Sequence, residues 1–321
     1  MFCREVALTR GHPSRRMKQL SYPSISQFQE LVQLKDYRPS TQREYVRHLC
    51  KLAEHYQCDP ATLSEKKMRQ YFLFLRQQKH YKAALMKTAK FALRSFFVGC
   101  LGRTDWTVFQ EVRVAHKQTL PVVLSVQEVS TLLKAVRQSR FRICLSLMYH
   151  CGLRISEAVS LRIPDLRGQH TPPMIHVRDG KRGKDRFVPI APEMMQQLRR
   201  WWCTHRNPTF LFPSTWRRYA DHTLPLNQVM AKATMPMSIS SVQMAFRLAR
   251  KASRVNSAST SHSLRHSYAT HLLEQGVSVL QISQYLGHNS IETTAIYTHL
   301  TAISEAKAQA ALTNLYQPFP L

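Results

Sequence analysis

The chain has 321 residues, 44% of them hydrophobic, enough for folded cores in about two domains of ~100–200 residues each. Its 46 Lys and Arg against 19 Asp and Glu leave a formal charge of +27, with basic residues in excess both before and after residue 110. A folded polycation of this kind repels itself unless it meets a polyanion, so nucleic acid is the expected partner.

Composition and residue spacing exclude several classes. The longest apolar run, near residues 143–153, is broken by Ser146 and His150 and is far shorter than the ~20 residues a membrane span needs. No membrane partner is expected. Seven cysteines form no CxxC pair, which argues against a zinc finger or a disulfide framework and fits a reducing cytoplasm. None of the nine glycines builds a GxGxxG or Walker loop, because Gly183-Lys184 is followed by Asp185.

Residues 1–20 carry Arg4, Arg10, Arg15, Arg16 and Lys18 and read as a disordered basic arm. Residues 21–106 have a helical pattern. Ser40 and Thr41 are N-cap candidates, with Glu44 completing a Thr-x-x-Glu capping box for a helix to about Leu52, and a second helix follows Asp59-Pro60 and Ser64 through Met68, Tyr71, Phe72 and Leu75. A third covers about 83–98, with Leu85, Phe91, Phe96 and Phe97 on its apolar side. Lys87, Lys90 and Arg94 form a cationic side suited to DNA phosphates. Periodicity fades over 107–124, the expected linker, before Ser125-Val126-Gln127-Glu128 opens a second domain, 125–321, with another capping box. Within it, 174–178 and 186–190 read as a β-hairpin whose tip carries Lys181 and Lys184. Residues 213–240 have no clear pattern, and Trp201-Trp202 reads as helix-end packing.

The chemistry-bearing groups are basic and aromatic, a set suited to a phosphodiester. His262 and Arg265 stand three apart and so share a helix face, with Leu264, Tyr268 and Leu272 lining a buried side. His262 and His266 have a spacing that can bind metal, but no third ligand accompanies them, so neither a metal nor another cofactor is expected. His288 follows Leu286-Gly287, and Tyr297 lies nine residues beyond it.

Gly152-Leu153-Arg154-Ile155-Ser156-Glu157, a hairpin Gly180-Lys181, His262-Ser263-Leu264-Arg265-His266, Leu286-Gly287-His288 and Tyr297-Thr298-His299 occur in that order. Together they resemble the tyrosine recombinase or phage-integrase family, which includes Xer-type and integron integrases. The resemblance implies a mainly α protein. An N-terminal SAM-like helical core-binding bundle would be joined to an α+β DNA breaking-rejoining catalytic domain with a small antiparallel sheet, the two clamping duplex DNA.

By the same resemblance, Tyr297 is the nucleophile that forms a 3′-phosphotyrosyl bond, and Arg154 and Arg265 clamp the non-bridging oxygens. His262 moves the tyrosine proton, His288 donates to the phosphate, and Lys181 is the acid for the departing 5′-oxygen, with Lys184 a second phosphate contact. The family further implies a homo-oligomer, two protomers per site and four in synapsis, exchanging strands through a Holliday junction, with the alanine-rich segment 302–315 docking on a neighbour. A catalytically silent DNA-binding relative and a type IB topoisomerase-like nicking-closing enzyme remain the alternatives.

Overall fold

The structure, a computed structural model, describes residues 22–114, 120–178, 185–215, 224–288, 290 and 292–297. The basic arm, the hairpin tip with Lys181 and Lys184, and the segment 302–315 lie outside the described residues. The chain separates into two compact units divided between Thr119 and Leu120.

The first unit is helical: α1 (Pro23–Leu34), α2 (Pro39–Tyr56), α3 (Glu65–Gln77), α4 (Ala83–Phe97) and a short α5 (Val108–Glu111). The start of α2 differs from the capping expectation. Arg38 is the N-cap and Pro39 the first helical residue, because the fixed φ of proline suits that position and its missing N–H costs nothing there; Thr41 lies inside the helix. The Ser64 hydroxyl caps α3 as expected. Phe28, Leu52, Met68, Leu93, Phe96 and Phe97 fill the core. Leu85 and Phe91, expected inside, are 41% and 44% exposed, since the buried stripe of α4 runs through Met86, Ala89, Leu93, Phe96 and Phe97 instead. Part of the expected linker is also structured. Val108 and Phe109 are buried in this core, and Glu65 accepts a hydrogen bond from the Val108 N–H.

The second unit opens at α6 (Val126–Ala135), whose Ser125 and Glu128 form the expected capping box, and continues with α7 (Ser139–Cys151) and α8 (Ile155–Ser160). A three-stranded antiparallel sheet follows, β1 (Leu166–Arg167), β2 (Met174–Val177) and β3 (Arg186–Pro189), in spatial order β1-β2-β3. The hairpin register pairs Val177 with Arg186 and Ile175 with Val188, which turns Ile175, Val177 and Val188 into the core.

Helices α9 (Pro192–Cys203), α10 (Leu226–Ala231), α11 (Ile239–Ser253), α12 (Ser261–Glu274), α13 (Val279–Leu286) and α14 (Glu292–Ala295) complete the described chain. Helix α10 falls in the region whose pattern was illegible. The buried Asn207 amide donates to the carbonyls of Met230, Ala231 and Ala233, satisfying groups that a helix end leaves unpaired. The Trp201 and Trp202 indoles donate to the Leu211 and Asn207 carbonyls, so both serve packing.

Helix α12 is the centre of the unit and packs against α7 and α13. It is buried on nearly every side, with Ser263, Leu264, Arg265, Ser267, Tyr268, Ala269 and Thr270 all inside. The expected division into an apolar face and an arginine face therefore does not exist: Arg265 is as buried as Leu264. The Ser267 hydroxyl accepts from the Leu124 N–H and donates to the Ser263 carbonyl, tying the entry of the unit to α12.

Candidate active site

Two glycine turns shape the site. Gly152 ends α7 at φ +58° and Gly287 ends α13 at φ +62°, the left-handed conformation glycine adopts without strain. Gly152 has no room for a side chain, and Gly287 is crowded. A Cβ at Gly152 would stand 2.5 Å from the Tyr268 ring, and one at Gly287 would stand 3.0 Å from the Arg186 side chain.

Arg265 reaches between these turns. Its Nη1 donates to the Gly152 carbonyl at 2.6 Å and its Nη2 to the Leu286 carbonyl at 2.5 Å. Both acceptors belong to helix C-termini, where carbonyls lack intrahelical partners and the helix dipole is negative, so a cation is stabilised there. Burial pushes the Arg265 pKa below its usual value and neighbouring Arg154 adds to that. A guanidinium nevertheless keeps its charge, and two of its five N–H donors account for these bonds.

Arg154 precedes α8, and Glu157 one turn later accepts from both its backbone N–H and its Nη1, each at 2.8 Å. Glu157 is also gripped by Arg186 on β3, through Nη1 at 3.0 Å and Nη2 at 2.8 Å, and lies 3.9 Å from Arg265. Arg186 in turn donates from Nε to the Tyr285 carbonyl at the end of α13. One carboxylate thus orders three guanidiniums and leaves a surplus of positive charge. Burial by itself would raise the Glu157 pKa; Arg186 and Arg154 outweigh it and hold the carboxyl at about 2.

Tyr297 is buried, packed with Tyr268, Ala269, Ile282 and Leu286. Its hydroxyl lies 2.8 Å from Nδ1 of His266. His262, expected to serve the tyrosine, sits one turn earlier on the exposed side of α12, with its ring edge-on to His266 at 4.6 Å between centroids. His288 Nδ1 pairs with the Thr294 hydroxyl at 2.8 Å.

The three imidazoles are all pushed below 6.5 by burial, with Arg265 contributing at each. Burial raises the Tyr297 pKa above 10, and Arg265 and Arg154 recover only part of that rise. The two guanidiniums thus favour the phenolate, but desolvation is the larger effect in the resting site.

The structure thus brings Arg154, His262, Arg265, His288 and Tyr297 into one site. Lys87, Lys90 and Arg94 belong to α4 of the first unit. Lys87 and Arg94 are exposed, while Lys90 is half-buried and donates to the Val112 carbonyl at 2.9 Å. Glu157, Arg186 and His266 were not assigned a role from sequence. Glu157 stands i+3 from Arg154 on a helical turn, a legible ion-pair spacing; Arg186 is 29 residues away from Glu157 and had no local signal. Among the described residues, no cluster of three or more His, Cys, Asp or Glu could hold a metal ion.

The family described as "Phage integrase family" matches residues 122–303, and "Phage integrase, N-terminal SAM-like domain" matches residues 25–106. The chain belongs to the phage integrase family. With that membership it is a tyrosine recombinase, an enzyme of site-specific recombination. It is 32% identical over 299 residues to the putative integrase/recombinase y4qK of Sinorhizobium fredii, covering 93% of this chain and 91% of that one. It is 35% identical over 193 residues to the tyrosine recombinase XerD of Corynebacterium glutamicum, covering 58% and 59%.

Among solved structures, the XerH site-specific recombinase bound to palindromic difH substrate superposes with a TM-score of 0.65 at 17% identity, covering 89% of this chain and 84% of that one. A lambda integrase tetramer bound to a Holliday junction gives 0.65 at 18%, covering 85% and 76%. These likenesses show that the fold is the integrase fold, mostly helical with a small antiparallel sheet. No described helix is long and apolar enough to cross a membrane.

Proposed function

We propose that the chain cleaves and rejoins double-stranded DNA through a 3′-phosphotyrosyl bond to Tyr297. The observation that carries this reading is the Tyr297 hydroxyl held by an imidazole beside guanidiniums whose charge one carboxylate does not cancel. Attack by the phenolic oxygen on phosphorus breaks the P–O5′ bond, and the covalent link retains the phosphodiester energy, so resealing needs no nucleotide.

Arg154 and the remaining donors of Arg265 stabilise charge growing on the non-bridging oxygens, in a geometry lysine reproduces poorly. With Nδ1 of His288 accepting from Thr294, its Nε2 carries the ring proton and donates to the phosphate. Proton traffic at Tyr297 runs through His262 and His266. Lys181 protonates the 5′-oxygen as it leaves, with Lys184 a further phosphate contact.

Residues 21–106 serve as a core-binding DNA domain and 125–321 as the catalytic domain, joined through 107–124. Dimers on each site and a tetramer in synapsis, exchanging strands through a Holliday junction in the cytoplasm, complete the reading. Support for the assembly comes from lambda integrase, solved as a dimer on a core site and as a tetramer on a Holliday junction.

A nicked suicide duplex tests the reaction. The protein should trap a covalent adduct in the presence of EDTA, and joining of two sites should follow when ends are supplied. Adduct formation without any joining identifies a nicking-closing enzyme, and loss of all activity in EDTA points to metal-dependent chemistry.

Lys181→Ala should cleave a normal duplex at least about 10²-fold more slowly and be restored by a 5′-phosphorothiolate, whose leaving group needs no acid. Equal rates on both substrates would remove Lys181 from the role. Lys87→Ala and Arg94→Ala should each weaken DNA binding and reduce its salt dependence by about one phosphate contact while leaving cleavage at saturating DNA intact, as read by titration at several salt concentrations.

A further inference from the structure

We infer that His266 is the general base for Tyr297, taking the phenolic proton at Nδ1 as the oxygen attacks phosphorus. The inference rests on the reading of Tyr297 as nucleophile. Its ground is geometric. Nδ1 of His266 is 2.8 Å from the Tyr297 oxygen, within direct proton-transfer reach, whereas His262 lies one helical turn earlier with its ring packed against that of His266. A neutral imidazole with Nδ1 unprotonated accepts that hydroxyl proton, while Nε2 carries the other.

The site also needs a base. Burial of Tyr297 raises its pKa despite Arg265 and Arg154, so phenolate does not form unaided. His266 faces His262 and Arg265 on α12, Tyr297 after α14 and His288 after α13. In the resting site, burial and then His262 and Arg265 hold its pKa at about 4, so it is neutral and ready to accept.

A phosphodiester bound between Arg154 and Arg265 brings a negative charge that opposes the guanidinium effect on His266. The ring therefore becomes more basic when DNA is in place. In the forward step the O–H proton moves to Nδ1, the Tyr297 oxygen bonds to phosphorus, and the 5′-oxygen leaves with a proton from the acid. In rejoining, the 5′-hydroxyl gives its proton back to that acid as it attacks phosphorus, and the His266 proton returns to the departing tyrosine oxygen. His262, on the exposed side, stands where it can exchange charge with solvent.

The decisive comparison is His266→Asn, whose side-chain oxygen can stand where Nδ1 stands and keep the hydrogen bond without taking a proton. Single-turnover adduct formation on the nicked duplex would be followed across about pH 4 to 9, with DNA binding measured in parallel. The expected result is a loss of about 10²-fold or more in cleavage, a flattened acid limb of the pH profile, and unchanged binding. His266→Ala, if folded by thermal melting, should regain part of the rate with added imidazole.

Wild-type rate and acid limb in His266→Asn would overturn the inference. So would disappearance of that limb in His262→Asn but not in His266→Asn. An adduct persisting in Tyr297→Phe would instead overturn the reading of the nucleophile and is distinguished by that variant alone.

Discussion

Tyr297→Phe should form no covalent adduct with a nicked suicide duplex, its yield falling to background, while binding that duplex as tightly as the parent protein. The substitution removes one oxygen and leaves the ring. The ring packs with Tyr268, Ala269, Ile282 and Leu286, so the apolar contacts persist and the fold is retained. The lost hydrogen bond to His266 costs about 1 kcal/mol, small against the stability of a domain.

The chemistry responds without proportion to that cost, because no neighbouring group replaces the oxygen. His266, His262 and His288 all have pKa values below 6.5 in the resting site. They are neutral imidazoles surrounded by cations, and a phosphoimidazole link there would be labile. Adduct would be counted as DNA-linked protein on a denaturing gel and binding by native gel shift. An adduct in the Phe variant would show that the nucleophile is another residue.

The motifs that located the site in the sequence are short and local, and each is fixed by a local requirement. Gly287 is legible as a helix stop because glycine takes the left-handed conformation without strain. Ser125 and Glu128 were readable as a cap because both partners lie within one turn. The hairpin was readable from two apolar runs around a basic loop.

Other features depend on contacts between distant segments. Arg265 looked like an exposed half of an amphipathic helix, yet it is buried, because the carbonyl ends of α7 and α13 converge on it from 113 and 21 residues away. His266 looked like a spare ring beside His262. Its role follows from the path of the chain through α14, which returns Tyr297 to α12 across 31 residues. Phe91 and Leu85 misled for the converse reason: periodicity names an apolar residue but not which of two adjacent stripes the bundle covers. Helix α10 was hidden because the three carbonyls at its end are satisfied by Asn207, some twenty residues earlier, rather than by a local cap.

The second large effect concerns Glu157, which touches no reacting atom in the proposed mechanism. Glu157→Gln should lower stability by about 3 kcal/mol or more near neutral pH, since removing one partner of a buried ionic cluster strands the others. The amide has one acceptor oxygen where the carboxylate uses two, one toward Arg154 and Arg186 and the other toward Arg186 and the Arg154 N–H. Arg154, Arg186 and Arg265 would then repel one another without a counter-charge.

The pH dependence fixes the sign. The Glu157 carboxyl is held at about 2 in the folded protein against 4.5 for the free group, so its contribution is present in full above about pH 4.5 and is lost as pH falls toward 2. A depression of that size corresponds to about 3 kcal/mol, in agreement with the expected loss. The stability gap between parent and variant should therefore be widest near neutrality and narrow toward pH 3, as read by denaturant unfolding at each pH. A gap that stays constant with pH would show that the glutamate contributes by packing alone.

Cleavage should fall by about 10²-fold in the same variant, because Arg154 and Arg265 are no longer held at a fixed separation for the phosphate. Bound DNA brings its own negative charge between those guanidiniums and should accordingly stabilise Glu157→Gln against heat by more than it stabilises the parent. Equal stabilisation of the two proteins would mean that the scissile phosphate does not share the site that Glu157 neutralises.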